Sequence, residues 1–373
     1  MKHTPLIEQH RAHGGKLVDF AGWEMPIQYA SVVDEYRHVR EAAGLFDVSH
    51  MGRIRVAGEH ALEFLQYMTT NNVAAIPLLG SQYSMVCNPS GGIKDDIFVY
   101  HTKPNEYLVC VNASNRTKIV SWFEEHRESA GVSINDESDK VAQLALQGPA
   151  SSLVLDNAGL TDVVYLKPRT ALPVTIGGEH CLISRTGYTG EPGWELYIPS
   201  RLVRNVWDDL LKAGHGADIT PAGLGARDLL RLEMGYLLYG NDISEETTPV
   251  EANASWVIDF NKGDFMGRAA LVDQQRRGLD KILIAFELLE KSVPRHGFPI
   301  LDPASSQPIG EVTSGNFSPL LQKGIGLGFV PAAFVKPATD LSVDIRGKLV
   351  PAVTVKPPFY RKPRPAQPGP IQH

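Results

Sequence analysis

Two adjacent carboxylates, Asp95 and Asp96, begin an apolar run in the segment GGIKDDIFVY, residues 91–100. A carboxylate held among apolar and aromatic groups can serve in acid–base or electrostatic catalysis. Successive side chains of an extended chain point to opposite faces, so Asp95 lies on the aliphatic face and Asp96 on the face of Phe98 and Tyr100. We expect Asp95 to bind local backbone. For Asp96, a solvated position at the start of a strand is the alternative, which these residues alone favour.

A third carboxylate, Glu195, follows a glycine-rich turn in SRTGYTGEPGWELYIP, residues 184–199. Strand alternation points Glu195 away from the apolar face that Trp194 and Leu196 form. A fixed carboxylate can accept two parallel N–H bonds, which is the geometry that a guanidinium or an amino-pyrimidinone edge presents. An exposed position or a simple arginine partner is an equally open alternative.

Two arginines, Arg227 and Arg231, stand four residues apart on a helix that we predict to begin at Thr220–Pro221. Like charges at this spacing repel each other unless partners neutralise them. Asp228 and Glu195 are candidate internal partners, and an anionic ligand is the functional alternative. The pattern favours structural ion pairs, because these are common in proteins.

Other motif searches are weak. The segment GIGLG, residues 324–328, lacks the third glycine of a dinucleotide fingerprint, and the cysteines are too scattered for a zinc site, so we predict no metal. His50, in FDVSHMG, is expected to be a hydrogen-bonded structural histidine rather than a catalyst. Tyr83, Tyr100 and Tyr188 could form aromatic walls for a flat heterocycle, although aromatic residues more often fill cores.

The composition is that of an ordinary globular protein. The chain has 373 residues, 43% hydrophobic and 21% charged, which allows two or three domains. A net charge of -6 gives no general attraction to nucleic acid or to an anionic membrane, so neither partner is expected. Three cysteines in apolar stretches suit a reducing compartment, and no signal peptide or membrane span is evident. We therefore expect a cytoplasmic protein.

The elements that must position the acids are strands of a predicted antiparallel meander. Its segments are SQYSMVC (81–87), IKDDIFVY (93–100) and NEYLVCVN (105–112), so the acids lie on the middle strand. Upstream, Ser31 is predicted to cap a helix that Gly44 ends. The order of helices and strands is mixed rather than regularly alternating, which predicts an α+β fold.

A polar stretch at residues 274–281 indicates a domain boundary. Downstream of it, short strands with Gly and Pro between them predict a small all-β, barrel-like domain. We therefore expect a mixed or antiparallel region over residues 1–275, an all-β domain over 280–361, and an extended proline-rich tail over 362–373.

Taken together, long motifs in a fixed order between about residue 2 and residue 361 resemble the aminomethyltransferase family, the T-protein of the glycine cleavage system. They are DFAGWEMPIQY, GLFDVSHMG, YSMVCNPSGGIKDD, ALQGP, SRTGYTGEPGWEL, PAGLGARDLLRLE, YLLYGNDI, TTPVEANASWV, EVTSGNFSP and KPPFYR.

This resemblance implies a folate-binding core of two intertwined subdomains and a tetrahydrofolate-dependent reaction. An aminomethyl group on the lipoyl arm of the H-protein would be released as ammonia, while its carbon passes to folate as 5,10-methylenetetrahydrofolate. Tetrahydrofolate would be a co-substrate, no metal would be needed, and the partners would be the lipoylated H-protein and the other glycine cleavage components.

The resemblance also implies roles for single residues. Asp96 corresponds to the essential aspartate near the folate nitrogens, and Glu195 to the acid that holds the pterin edge. Arg361 is expected to meet the folate or its glutamate tail, and Met51 falls in a pocket-lining stretch. The remaining residues match positions that line the folate pocket: Tyr83, Tyr100, Asn112, Tyr188 and Arg227.

Two other functions are compatible with such a fold. One is a folate-dependent demethylase of the same superfamily, which takes its one-carbon unit from a methylated amine or sulfur compound. The other is a non-catalytic folate-binding protein, whose relatives carry a KGCYxGQE-like motif that is absent here. The complete set of T-protein motifs favours the aminomethyltransferase.

Overall fold

The computed structural model describes residues 1–127 and 131–361, so the predicted proline-rich tail at 362–373 lies outside the described residues. The α-helices are α1 (Ile7–Ala12), α2 (Val32–Glu41), α3 (Ala61–Met68), α4 (Arg116–Glu125), α5 (Ser151–Asn157), α6 (Val203–Ala213), α7 (Leu224–Glu233) and α8 (Arg268–Arg277). Among the described residues, none of these helices has the length and apolar character needed to cross a bilayer.

Strands make up three open sheets and one barrel. The first fourteen strands are β1 (Lys2–His3), β2 (Lys16–Phe20), β3 (Trp23–Gln28), β4 (Ala43–Asp47), β5 (Gly52–Ala57), β6 (Ser81–Cys87), β7 (Ile93–Lys103), β8 (Glu106–Val111), β9 (Ser133–Asp136), β10 (Val141–Gln147), β11 (Ala171–Ile176), β12 (Glu179–Ser184), β13 (Gly193–Pro199) and β14 (Ile219–Pro221). They form sheets of order β1-β3-β2, β6-β7-β8-β5-β9 and β11-β12-β13-β10-β4-β14.

The predicted antiparallel meander is present as β6, β7 and β8. Asp96 is opposite Met85 of β6, and Asp95 is opposite Val86. Strand alternation also holds: Asp95 is fully buried, whereas Asp96 is half-buried on the other face. On the Asp95 face, Ile97 and Val99 pack against residues of α3 and α4, and burial of this apolar face fixes the register of the strand.

Glu195 lies on β13, between β10 and β12 in the six-stranded sheet. Its neighbours Trp194, Leu196 and Ile198 are buried in one core with residues of α5 and α6, as the alternation predicts. Glu195 and Tyr197 therefore point to the opposite face, toward β7 and the carboxylate pair.

The predicted helix start at Thr220–Pro221 is wrong. Thr220 and Pro221 belong to β14, which pairs in parallel with β4 at the edge of the sheet, where a proline without an N–H is tolerated. The helix α7 begins at Leu224, after Gly223. A Cβ on Gly223 would lie 2.6 Å from the backbone of Ile27, so this glycine permits the close approach of α7 to β3.

The helix α2 begins as predicted but ends earlier. The Ser31 hydroxyl accepts a hydrogen bond from the backbone N–H of Asp34, which confirms the cap. The helix ends at Glu41, and Gly44 lies inside β4 rather than at the helix end. A Cβ on Gly44 would lie 2.4 Å from Cγ2 of Val39, so packing of β4 against α2 explains this glycine.

The C-terminal strands close into a barrel of order β15-β18-β17-β16-β19-β20, which confirms the predicted fold class. They are β15 (Lys281–Leu288), β16 (Pro299–Leu301), β17 (Pro308–Ser318), β18 (Lys323–Pro331), β19 (Asp340–Ile345) and β20 (Lys348–Val355). The short strand β16 is not evident from the sequence. The helix α8 ends at Arg277, inside the predicted boundary segment 274–281, and the division into domains itself stays a prediction.

Candidate active site

A cavity of about 880 Å³ lies where the β7 and β13 faces meet α7 and the loop that follows it. Of the nine site residues that the family resemblance implies, eight line it: Met51, Tyr83, Asp96, Tyr100, Asn112, Tyr188, Glu195 and Arg227. Arg361 is exposed and is not among the lining residues, so the structure does not bring it into this group.

Asp96 is held on the cavity wall by two hydrogen bonds. The Tyr83 hydroxyl donates to Oδ2 over 2.9 Å, and the Asn112 side-chain amide donates to Oδ1 over 2.8 Å. Burial raises the pKa of Asp96 above the usual carboxyl value, although both hydrogen bonds oppose the shift. A carboxyl group in this state can accept and return a proton close to neutral pH.

Asp95 points away from the cavity and is fully buried. It accepts hydrogen bonds from the backbone N–H of Asn112 and from the side chains of Asn112 and Asn115. The expectation that Asp95 binds local backbone is therefore wrong: its partners lie on the chain segment after β8, which the meander places beside it.

Glu195 is held from three directions. Thr186 Oγ1 donates to Oε2 over 2.5 Å, the Tyr100 hydroxyl donates to the same oxygen over 3.3 Å, and Gln143 Nε2 donates to Oε1 over 3.1 Å. The two alternatives raised by the sequence, exposure or a simple arginine pair, do not describe this half-buried acid. A carboxylate with fixed orientation at a cavity wall can accept hydrogen bonds from a pair of N–H donors on a ligand.

The two arginines of α7 have different surroundings. Arg231 pairs with Asp228 at 2.7 Å and with Asp242 at 2.8 Å, so the ion-pair interpretation is right for Arg231. Arg227 instead packs over the ring of Tyr188, 4.8 Å from its centroid. Its Nη1 is buried with no hydrogen-bond partner in the described part of the chain. Arg227 is therefore available to a ligand that carries a hydrogen-bond acceptor or a negative charge.

Aromatic rings form the walls of the cavity beside Asp96. Phe98 lies between Tyr83 and Tyr100, at centroid distances of 6.1 and 5.6 Å. The exposed ring of Trp256 stacks on Tyr83 at 5.5 Å and extends this wall toward solvent. On the other side, the Tyr188 hydroxyl donates to the carbonyl of Leu237. Aromatic faces on a cavity wall suit a flat heterocycle.

His50 also lines the cavity, but it is not the hydrogen-bonded structural histidine that the sequence suggests. The residue is buried, and its Nδ1 finds no partner within residues 1–127 and 131–361. Burial lowers the pKa of His50 to about 4, so the imidazole is neutral at physiological pH. Its ring meets Phe20 edge-on at 5.5 Å.

Several residues of the site are not identified from the sequence. Gln143 and Thr186 hold Glu195, and Tyr239, Asn241 and Arg295 come from segments far away along the chain: the first two follow α7, and the third precedes β16. A polar Gln143 within the apolar strand VAQLALQ is a signal that could have been found. Over the described ranges, no three His, Cys, Asp or Glu side chains cluster as metal ligands would.

Comparisons with known proteins agree over almost the whole chain. The GCVT N-terminal domain matches residues 6–262, and the glycine cleavage T-protein C-terminal barrel domain matches residues 281–361. The chain is 45% identical over 359 residues to an aminomethyltransferase of Halothermothrix orenii, covering 96% of this chain and 100% of the relative. It is 42% identical over 364 residues to an aminomethyltransferase of Bacillus subtilis, covering 97% and 100%.

A solved structure is also similar. The crystal structure of glycine cleavage system aminomethyltransferase T from Bartonella henselae is 32% identical in sequence and superimposes with a TM-score of 0.91. The match covers 96% of this chain and 98% of that chain.

Proposed function

The chain belongs to the aminomethyltransferase family of glycine cleavage T-proteins, and on that premise we propose that it moves the aminomethyl carbon of a lipoylated H-protein to tetrahydrofolate. The products are ammonia, 5,10-methylenetetrahydrofolate and the dihydrolipoyl carrier. The observation that carries the proposal is that Asp96 and Glu195 face one cavity with aromatic walls. We place the reaction in the cytoplasm, with the other glycine cleavage components as partners.

Glu195 is proposed to orient the pterin ring. The 2-amino-4-oxo edge of tetrahydropterin presents adjacent N–H donors, which match the two oxygens of a carboxylate. The Glu195 oxygens are already fixed by Thr186, Tyr100 and Gln143 before any ligand binds. This preorganisation reduces the entropy that binding must overcome.

Asp96 is proposed to act on the reacting atoms. Cleavage of the C–S bond beside an amine gives the carbon iminium-like positive character, which a fixed carboxylate in a dry site stabilises better than water does. The transfer also moves two protons: folate loses two N–H hydrogens, one of which leaves with ammonia while the other ends on the carrier thiol. Asp96 can relay a proton between these nitrogens because its pKa is raised by burial.

The other lining residues would complete the folate pocket. Arg227 offers an N–H group that has no partner among the described residues, and its guanidinium packs over the ring of Tyr188. Asn112 holds Asp96 by a hydrogen bond. We assign Arg361 to the glutamate tail of folate only, because its exposed position lies outside the cavity.

The test is ammonia release from an aminomethylated lipoyl carrier, with and without tetrahydrofolate. We expect folate-dependent release by the wild-type protein and almost none by Asp96→Asn, which keeps the side-chain shape and loses the charge. Asp156→Asn, on the exposed face of α5, is the matched control and should release ammonia normally.

Folate binding should persist in Asp96→Asn, measured by titration. Near-normal turnover of Asp96→Asn would contradict the catalytic role of Asp96. Tight folate binding by the wild-type protein without any ammonia release would favour another one-carbon donor, as in a demethylase, or a folate-binding role.

A further inference from the structure

The carboxylate of Asp95 is completely buried next to Asp96 and has no part in the reaction described above. Its Oδ2 accepts the backbone N–H of Asn112 over 3.0 Å. Its Oδ1 accepts the side-chain amides of Asn112 and Asn115 over 2.8 and 2.5 Å. All three donors are N–H groups, which stabilise the ionised form of a carboxyl group.

Asn112 connects the two acids. Its Nδ2 lies 2.8 Å from Oδ1 of Asp95 and 2.8 Å from Oδ1 of Asp96, and it also reaches the carbonyl oxygen of Asp96 at 3.1 Å. The amide that holds Asp96 is thus held in turn by Asp95. Rotation of Asn112 would break contacts with both carboxylates at once.

No cation of the described chain forms an ion pair with either of these two acids. Within the described ranges, neither Asp95 nor Asp96 has a Lys, Arg or His within ion-pair distance. The titratable groups that face the pair from other elements include three tyrosines and one acid: Tyr83 of β6, Tyr188 after β12, and Tyr239 and Asp242 after α7.

These neighbours do not remove the charge either. Burial raises the pKa of Tyr83, Tyr188 and Tyr239, so all three stay neutral. The charge of Asp242 is matched by Arg231, 2.8 Å away. The charge of Asp96 is thus the main electrostatic contact of Asp95, while the charge of Asp242 still raises the pKa of Asp96.

Proton affinity in the pair follows from these contacts. Burial raises the pKa of both acids, and repulsion by Asp96 raises the pKa of Asp95 further. Such repulsion is mutual, so an ionised Asp95 raises the proton affinity of Asp96 as well. Asp95 accepts three N–H bonds, whereas Asp96 accepts one N–H and one O–H bond and opens to the cavity. Deeper burial and the charge of Asp96 raise the pKa of Asp95 more than that of Asp96, whereas three N–H bonds favour the ionised form of Asp95. On the contacts, the proton that the pair takes up is assigned to Asp96, which has fewer donors and opens to the cavity.

We infer that Asp95 is a positioning residue, which clamps Asn112 onto Asp96 and, through its fixed negative charge, makes Asp96 the proton acceptor of the site. This inference rests on the proposed function, in which Asp96 relays a proton during transfer to folate. A purely structural Asp95 would hold Asn112 without affecting the proton affinity of its neighbour.

The pH profile of kcat/KM separates these two roles. In Asp95→Asn the loss of the negative charge should move the acidic limb to lower pH by about 1 pH unit or more. Asn115→Ala removes one donor from Asp95 and leaves the donors to Asp96 in place, so it should move the limb in the same direction by less. A merely structural role would lower the rate at every pH and leave the limb unmoved.

The matched control is Glu35→Gln. Glu35 is also buried and accepts backbone N–H groups, from Tyr29, Ala30 and Gly223, but it does not contact the carboxylate pair. This variant should lose stability and keep the wild-type acidic limb. If Asp95→Asn does not fold, Asn115→Ala decides the question.

A second readout does not depend on turnover. Carbon-13 NMR of the aspartate carboxyl carbons in the substrate-free protein follows the titration of Asp96, whose signal is identified by its loss in Asp96→Asn. A downward shift of this titration in Asp95→Asn supports the inference even if the wild-type protein proves to release no ammonia, in which case only the proposed function fails. Active wild-type protein, with both the kinetic limb and the NMR titration unmoved in Asp95→Asn and Asn115→Ala, would overturn the inference.

Discussion

Arg40 and Glu233 form a buried ion pair in which Nη2 and Oε2 lie 2.6 Å apart, with side-chain exposures of 5% and 0%. The same Glu233 carboxylate accepts hydrogen bonds from Tyr36 of α2 and from Ser318 of the barrel strand β17. One carboxylate thus joins α2, α7 and the barrel behind the cavity.

Replacement of Arg40 by Met should therefore be costly. It leaves the Glu233 charge buried without its cation, and we expect a loss of about 3–5 kcal/mol in the free energy of unfolding. The exposed pair of Arg277 with Asp273 provides the control, because Arg277→Met should cost less than about 1 kcal/mol. Denaturant unfolding measures both values. Equal small losses in the two variants would contradict the importance of the buried pair.

The main expected effect of Glu195→Ala is weaker binding of tetrahydrofolate. Loss of the buried carboxylate bonds is expected to cost about 2–4 kcal/mol of binding free energy. Glu179→Ala on the neighbouring strand β12 removes a partly exposed acid and should leave affinity unchanged. Isothermal titration gives both affinities. The pterin contact is refuted if Glu195→Ala binds folate as tightly as the wild-type protein.

The two arginines of α7 should respond differently to the same substitution. Arg231→Met breaks two ion pairs and should lower the free energy of unfolding by about 3–5 kcal/mol. Arg227→Met removes a buried N–H group that has no partner in the part of the chain that the structure describes, so stability should stay the same or rise while folate affinity falls. Unfolding curves and folate titrations of both variants test this contrast. A similar loss of stability in both would show that Arg227 is structural.

The lowered pKa of His50 predicts that the stability of the protein depends on pH. The folded protein holds His50 neutral down to a pKa of about 4, whereas the unfolded chain protonates it near pH 6.5. The unfolded state therefore binds more protons between these values, and stability falls as the pH drops through this window, by on the order of 3 kcal/mol in total. His50→Gln should remove this share of the acid sensitivity. The check is the difference between wild-type and variant unfolding free energies at pH 7 and at about pH 4, because the carboxylates contribute equally to both proteins.

Much of the fold follows from local sequence signals. The strands β6, β7 and β8 are predictable because alternation and turn residues act within each segment. The helix start at Thr220–Pro221 fails because β4, far away in sequence, recruits these residues into a sheet edge. The strand β16 has only three residues, which is too few for a periodic pattern.

The residues of the site likewise divide into those that local sequence patterns predict and those that depend on distant segments. Strand alternation places Asp96 and Glu195 on opposite faces from their apolar neighbours, and this holds in the structure. The contacts of Gln143 and Thr186 with Glu195 depend on the pairing of β10, β12 and β13. No local sequence pattern specifies this pairing. The different contacts of Arg227 and Arg231 likewise depend on Asp242, whose position is set by the loop after α7.

The strand order of the six-stranded sheet constrains how the protein is made. The five residues of β4 are all buried, and their neighbours in the sheet are β10 and β14, which end at Gln147 and Pro221. A ribosome therefore releases β4 long before its partners, and during synthesis this apolar edge has nothing native to pair with. A nascent chain stalled before Val141 contains neither partner of β4 and should bind general chaperones strongly, whereas a chain from which β10 and β14 have emerged should bind them less.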